Sequence, residues 1–317
     1  MSQQVLVLGS QGRFGAAAAL AFSQAGWRVL CHARRPDARL PGGAQRVEAP
    51  LQDAAALVRQ AKGSSLVIHA VNVPYPRWAR ESLPLAEQAM AVARGLGATL
   101  MLPGNVYNYG VPMPMPLSEA AEQAPHTRKG AIRVAIEQRM QQQADAGLRC
   151  IVLRAGDFFG GGQGSWLGQV ILKSVDKGRL AYPGRRDVAH AWAYLPDLAR
   201  VAVALAERED LPAFARFHFA GHTLTGEALL QALEAAARRL GLGGAAPFRH
   251  GGMPWGAIRA LGLVVPLYRE LAEMAYLWDA PHALDGGALV RLLGPLPHTP
   301  LPTVLEACLR ERTGAAP

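Results

Sequence analysis

The chain has 317 residues, 50% of them hydrophobic and 18% charged, enough for one large core or a core with a smaller lobe. Its formal charge of +9 comes from scattered arginines, with no basic run longer than two and no aromatic interleaving, which excludes nucleic acid as a partner and suits an anionic substrate or cofactor. No stretch approaches the ~20 apolar residues of a membrane span, no signal-peptide pattern precedes the first strand, and Cys31, Cys150 and Cys308 form no C-x-x-C pair, so the expectation is a cytoplasmic protein without metal, disulfide framework or membrane partner.

The first predicted element is a strand over Val5 to Leu8, an aliphatic run of the kind buried on both faces of a sheet. Gly9, Gly12 and Gly15 follow, then an alanine-rich helix from Ala16 to Ala21 and a second strand from Trp27 to Cys31. In a strand, glycine turn, helix and strand, bare backbone comes up against a diphosphate and the helix N-terminus favours the anion. Gly9, Ser10, Gln11, Gly12, Arg13, Phe14 and Gly15 are therefore candidate dinucleotide-binding residues. The second strand ends in Cys31-His32-Ala33-Arg34-Arg35, with no acid to accept from ribose hydroxyls. Arg34 and Arg35, with Arg13, suit a 2′-phosphate, which favours NADP(H) over NAD(H); solvated loop arginines are the alternative reading.

Turn residues fill Pro36 to Gly43, a short strand is expected over Gln45 to Glu48, and Asp53 caps a helix to Ala61. Strands at Leu66 to Ala70, Thr99 to Leu102 and Arg149 to Leu153 alternate with helices at Arg80 to Gly95 and Lys129 to Ala146. That alternation predicts an α/β fold with a doubly wound parallel sheet, whose ligands lie beyond the carboxyl ends of the strands. Leu51, Ala70, Val71, Asn72 and Pro103 follow strands and are candidate cofactor contacts. Tyr75 and Trp78 after the fourth strand, with Phe158 and Phe159 after the sixth, suggest an aromatic wall around a nicotinamide, ordinary packing being the alternative. Asp157, between a glycine and two aromatics at a strand end, is a candidate substrate contact.

Asp197 reads as the cap of a helix over Leu198 to Ala206. From Gly221 onward the pattern is helical: Thr225 to Leu240, Trp255 to Leu263, Leu267 to Trp278 and Pro302 to Arg312. A nucleotide-binding domain over 1–155 with 188–220 is expected, and a smaller, mostly helical substrate lobe over 156–187 with 221–317. Met253, Trp255, Tyr268, Met274, Tyr276 and Trp278 recur at helical spacings, which suits core packing or a homodimer face, with a pocket wall as the alternative.

Several of these segments resemble the extended short-chain dehydrogenase/reductases, the branch of nucleotide-sugar epimerases and dehydratases. They are the Gly9/Gly12/Gly15 loop, Asn105-Val106-Tyr107-Asn108-Tyr109-Gly110, Leu153-Arg154 before a glycine-rich loop, Tyr194-Leu195-Pro196-Asp197-Leu198-Ala199, and Phe217-His218-Phe219-Ala220-Gly221 with Thr225-Gly226-Glu227. The resemblance spans roughly the first 240 residues. It implies a Rossmann fold, a small-molecule substrate and proton transfer by a Tyr-x-x-x-Lys pair. The pair is missing: Val58, Pro125, Gln169 and Lys173 stand four residues before the lysines.

Registering the family pattern on Glu137 puts Lys129 at the tyrosine position and Arg133 at the lysine position, whereas registering on Pro125 puts His126 at the tyrosine position; Asn105 matches the family serine. Lys129, Arg133, Tyr107 and Asn105 are thus the catalytic candidates, with Tyr109 and His126 as alternatives and Lys129 also as a ribose contact. In the loop from Tyr182 to Trp192, matched to the family's substrate lobe, Arg186, His190 and Trp192 are candidate substrate contacts, with core packing as the alternative for Trp192. The expected function is an NAD(P)-dependent oxidoreductase or epimerase-like enzyme acting on a small carbonyl or sugar-nucleotide substrate. The alternative is a non-catalytic NADP(H)-binding regulator.

Overall fold

Strand β1 (Gln4–Leu8) is buried along its whole length because helices cover the sheet on both faces. The computed structural model, which describes residues 3–33, 40–41, 43–162 and 164–314, continues from it with α1 (Arg13–Gln24), β2 (Arg28–His32), β3 (Gln45–Val47), α2 (Ala54–Gln60) and β4 (Leu66–His69). Next come α3 (Trp78–Leu96), β5 (Thr99–Gly104), α4 (Arg128–Asp145), β6 (Cys150–Ala155), β7 (Asp157–Phe159), β8 (Arg179–Tyr182), β9 (Ala189–Tyr194), α5 (Leu195–Ala206) and β10 (Phe214–Phe219). Seven strands form one parallel sheet in the order β10-β6-β5-β4-β1-β2-β3. The order reverses between β1 and β4, which opens a crevice at their carboxyl ends.

One face of the sheet packs on α1 and α5, where Ala18, Ala19 and Phe22 meet Leu198, Val201 and Leu205. Small side chains on α1 let that layer approach closely. The other face packs on α2, α3 and α4 through Leu57, Ala86, Ala89, Met90, Ile136 and Met140. Both strands and helices thus fall where the alternation of apolar runs predicts, although β5 and β6 run two residues further, to Gly104 and Ala155.

The second half is less helical than the sequence suggests. It contains β11 (His222–Thr225), α6 (Gly226–Arg239), β12 (Arg249–Gly252), α7 (Trp255–Leu261), α8 (Pro266–Glu273), α9 (Gly287–Leu293) and α10 (Leu301–Thr313). Two small sheets, β11-β9-β7 and β12-β8, join the helices. Strands such as Arg249-His250-Gly251-Gly252 carry no apolar alternation, so nothing in their composition announces them. Tyr182, Trp192, Leu229, Leu233, Trp278 and Leu305 fill this lobe's core. The expected helix from Leu267 to Trp278 breaks at Met274 into α8 and a single turn, Ala275–Trp278.

Two further corrections concern anchoring. Asp197 is not the cap of α5: Tyr194 precedes the helix without a side-chain cap, and the Asp197 carboxylate accepts from the backbone N–H and hydroxyl of Thr299, both at 2.7 Å. Helix α9, unexpected from sequence, returns to the nucleotide half, where Leu289 is fully buried in the α1/α5 core and the helix packs on β10. Among the described residues no helix is long and apolar enough to cross a membrane.

Candidate active site

The turn after β1 is built from main chain. Gly9 has φ +84°, and a Cβ there would stand 2.7 Å from the Val71 nitrogen. A Cβ on Gly15 would stand 2.2 Å from the Gly9 carbonyl oxygen, so α1 sits against the turn only because both residues lack one. Gly12 N–H donates to the Gly9 carbonyl at 2.9 Å and leads directly into α1, whose first-turn amides have no acceptor within the helix. Ser10 Oγ donates to the His32 carbonyl at 3.1 Å, which fixes the turn to the end of β2. This cradle fits the diphosphate of a dinucleotide.

A groove runs across it in two chambers. The larger, about 970 Å³, is lined by Gly9, Gln11 and Gly12 on one side and by His32, Arg46, Glu48 and Leu51 on the other. The smaller, about 320 Å³, is lined by Arg13, Phe14, His69, Trp78, Pro103, Arg133 and Phe158. Gly12, Ala70, Val71, Asn72, Val73 and Leu85 belong to both, so the chambers share a wall at the switch point. His32, His69, Arg46 and Glu48 were not singled out by sequence. His69 closes β4 one residue before the segment that was read, and Arg46 lies on β3, whose register with β2 brings it to the crevice. Arg34 and Arg35 lie outside the described residues.

The second chamber carries aromatic and ionic side chains. Arg13 donates to the Phe158 carbonyl at 2.8 Å, and the Phe14 and Phe158 rings stack at 6.1 Å. The Tyr75 and Tyr107 hydroxyls meet at 3.0 Å, and Trp78 packs edge-on against Tyr75 while its indole N–H donates to the Val73 carbonyl. The Arg133 guanidinium lies 5.4 Å over the Trp78 ring, reaches the Pro103 carbonyl at 3.5 Å, and leaves its Nε without a partner. Burial pushes the Tyr107 phenol well above its ordinary range, with Tyr75 and Asp157 adding to the effect. A phenol so raised holds its proton at neutral pH. Burial, helped by the Arg133 charge, brings His69 down to about 4, so that imidazole is neutral.

Asp157 precedes Phe158 on β7 and lines neither chamber. Its Oδ2 is 3.0 Å from His190 Nε2, and its side chain is 19% exposed against 1% for His190. The His190 ring stacks on Trp278 at 4.6 Å and meets His282 edge-on at 4.4 Å, while its Nδ1 has no partner. The second carboxylate oxygen of Asp157 is left for a ligand.

Other candidates are placed elsewhere. Lys129 lines neither chamber: its ammonium is 1% exposed, ion-paired with Glu270 and Glu273 of α8, and 5.1 Å over the Tyr75 ring. Asn105 is occupied as a cap, accepting from Tyr107 N–H at 3.1 Å. His126 is exposed and meets the Tyr276 ring edge-on at 4.3 Å, and Tyr109 is core. Arg186 reaches His250 at 3.4 Å within the second lobe. Trp192, expected to touch substrate, is 2% exposed and belongs to the lobe core, which corrects that expectation.

One turn beyond Arg133 on α4, Glu137 holds Arg154 of β6 through two oxygens, at 2.6 and 2.8 Å, with both side chains buried. Asn108 and Gln123 donate to the same carboxylate at 2.9 and 2.8 Å. Burial pushes Glu137 upward, but the Arg154 charge and the Gln123 bond outweigh it and hold the carboxyl below its ordinary value. This network locks α4 to the sheet and thereby sets where Arg133 and Lys129 stand.

Comparison with known proteins bears on this geometry. A family model described as "NAD dependent epimerase/dehydratase family" matches residues 5–215. Among solved structures, a UDP-glucose-4-epimerase from Stenotrophomonas maltophila, with bound NAD and formylated UDP-arabinopyranose, superposes with a TM-score of 0.78 at 14% identity, covering 99% of this chain and 98% of that one. MoeE5 in complex with UDP-glucose and NAD gives 0.76 at 18% identity over 98% and 99% of the two chains. A UDP-N-acetylglucosamine 4-epimerase from Bacillus cereus gives 0.76 at 12% identity over 100% and 98%. At these identities the likeness is one of fold. No curated protein matches in sequence.

Proposed function

The chain belongs to the NAD dependent epimerase/dehydratase family, and on that premise we propose that it is a nicotinamide-dependent enzyme that interconverts a hydroxyl and a carbonyl on a small carbonyl or sugar-nucleotide substrate. The observation that carries this reading is the continuity of the groove from the glycine cradle to Arg13, Arg133 and Phe158 at the strand ends, with the partly exposed Asp157 next in the chain to Phe158. When bound, the nicotinamide supplies the hydride chemistry. Gly9, Gly12 and the start of α1 would hold the diphosphate, and Arg133, which lines the second chamber, would donate to the ribose or the nicotinamide amide. Asp157 takes the proton from the substrate hydroxyl, or returns it, through the oxygen that His190 leaves unengaged. Tyr107, with its raised phenol, positions Tyr75 and donates a hydrogen bond, and Lys129 serves the lobe contact.

NADP(H) is the proposed cofactor. Arg46 lines the adenosine-side chamber and β2 ends without an acid, whereas Arg13, expected at the 2′-phosphate, lines the other chamber and donates to the Phe158 carbonyl. Glu48 in the same chamber and the NAD named in the neighbours' titles favour NAD(H) as the second reading. Titration calorimetry with NADP⁺, NADPH, NAD⁺ and NADH separates them, with tighter binding of the phosphorylated pair expected. Oxidation of the bound reduced cofactor is then followed across carbonyl compounds and nucleotide sugars. Cofactor binding without turnover on any class leaves the regulator reading, which the missing Tyr-x-x-x-Lys pair favours; no binding of any of the four removes both.

A further inference from the structure

Residues Pro254 to Arg269, PWGAIRALGLVVPLYR, contain no acid and only two charged side chains, Arg259 and Arg269. They fold as a helical hairpin: α7, a tight turn, and the start of α8. Leu263 is 87% and Val264 77% exposed, with Leu261, Val265 and Leu267 exposed beside them. Nine large apolar side chains are exposed among the described residues, and these five lie within one short turn. Single exposed aliphatics are ordinary, but a cluster of them signals a surface that meets something apolar.

The chemistry around the tip identifies what it meets. Arg259 and Arg269 are exposed on the two arms; of the first acids beyond them, Glu270 and Glu273 pair with Arg128 and Lys129, Glu270 also lying 3.6 Å from Arg269, which stays 60% exposed. The tip is therefore apolar at its apex and basic at its shoulders, with Trp255 and Tyr268 at the two bases. We infer that this hairpin docks on an anionic lipid surface, with Leu263 and Val264 entering the acyl boundary and the two arginines at the phosphates.

A second copy of the chain fits less well. Five aliphatic side chains cannot furnish the ~800 Å² per partner of a specific interface. A two-fold contact through this tip would also bring the same arginines of both copies together. One apolar turn gives only weak, reversible attachment, so the arginines are needed, each contributing on the order of fivefold in partitioning near an anionic surface.

Co-sedimentation of the full chain with phosphatidylglycerol-containing vesicles and with pure phosphatidylcholine vesicles tests the inference. Sedimentation with the anionic vesicles, weakened by added salt, is expected. The double variant Leu263→Asp/Val264→Asp should lose roughly tenfold or more of that binding, and Arg259→Ser/Arg269→Ser roughly 25-fold. Both pairs are exposed, so the thermal transition and the cofactor titration should be unchanged, which keeps this outcome separate from the fate of the proposed activity. Failure to sediment with anionic vesicles, or sedimentation indifferent to Leu263→Asp/Val264→Asp, overturns the proposal. So does a concentration-dependent dimer in light scattering that this variant dissolves, since the occupant is then a second copy.

Discussion

The two ends of the groove are made of different materials. At the diphosphate end the contacts are backbone amides presented by Gly9, Gly12 and the start of α1, and side chains matter mainly by their absence. At the strand-end chamber everything depends on which side chains project, Arg13, His69, Trp78, Arg133 and Phe158, and on the Tyr75–Tyr107 and Asp157–His190 pairs beside them. A backbone site admits little variation, because any Cβ meets main chain that has nowhere to go. A side-chain site can be refitted one residue at a time, and here α4 carries Lys129 and Arg133 on the sheet without a Tyr-x-x-x-Lys pair in the sequence.

That contrast can be broken most violently at the cradle. Gly15→Ala puts a Cβ 2.2 Å from the Gly9 oxygen, so cofactor affinity measured by calorimetry should fall beyond detection and the thermal transition should drop. The next largest effect is expected behind the chamber. Arg154→Met leaves the buried Glu137 carboxylate with Arg216 at 3.3 Å and the Asn108 and Gln123 amides but without its bidentate partner, a loss of ~3 kcal/mol readable in urea unfolding. Asp157→Asn should lower turnover roughly 10²–10⁴-fold while cofactor affinity stays within twofold. Equal turnover in the variant would refute the proton role of Asp157.

Lys129→Met tests whether this lysine serves the lobe contact instead of the chemistry. Burial pushes Glu270 upward, but the bond and charge of Lys129, with Arg128, hold it below its ordinary 4.5. Because the folded value is depressed, the pair's contribution is fully present above that ordinary value and disappears as pH falls through the lowered one. The variant should therefore be about 2 kcal/mol less stable at pH 7, between exposed and buried pairs, with the gap closing under acid conditions below pH 4.5. Smallest of all, Tyr107→Phe removes one hydrogen bond, ~1 kcal/mol of stability, and should lower turnover less than tenfold if the phenol is not the proton carrier.

How much was legible in the sequence follows the same division. The parallel sheet, the glycine turn and the wall residues Ala70, Val71, Asn72 and Pro103 are local patterns, and the crevice receives them where strand ends must lie. The Glu137–Arg154 pair joins α4 to β6, a contact between elements that the sequence places separately. The partners of Lys129 are not legible either, since Glu270 and Glu273 come from a helix more than 140 residues away. His190 and Trp192 stand two apart on β9 and share a face, their rings 4.8 Å apart and both against Trp278; that this face is buried in the lobe, with His190 Nε2 reaching Asp157, is decided by the neighbouring elements.

Helix α9 ties these halves into one body. Its Leu289 is fully covered by the nucleotide-side core although the chain before and after it belongs to the other lobe. A protein trimmed before Gly287 would thus lose more than a cap over the substrate: β10 would be stripped of the helix that packs on it, and the sheet would end in an apolar flank open to water. The carboxyl-terminal segment is masonry for the amino-terminal fold, and the two cannot be exchanged between relatives as if they were separate bricks.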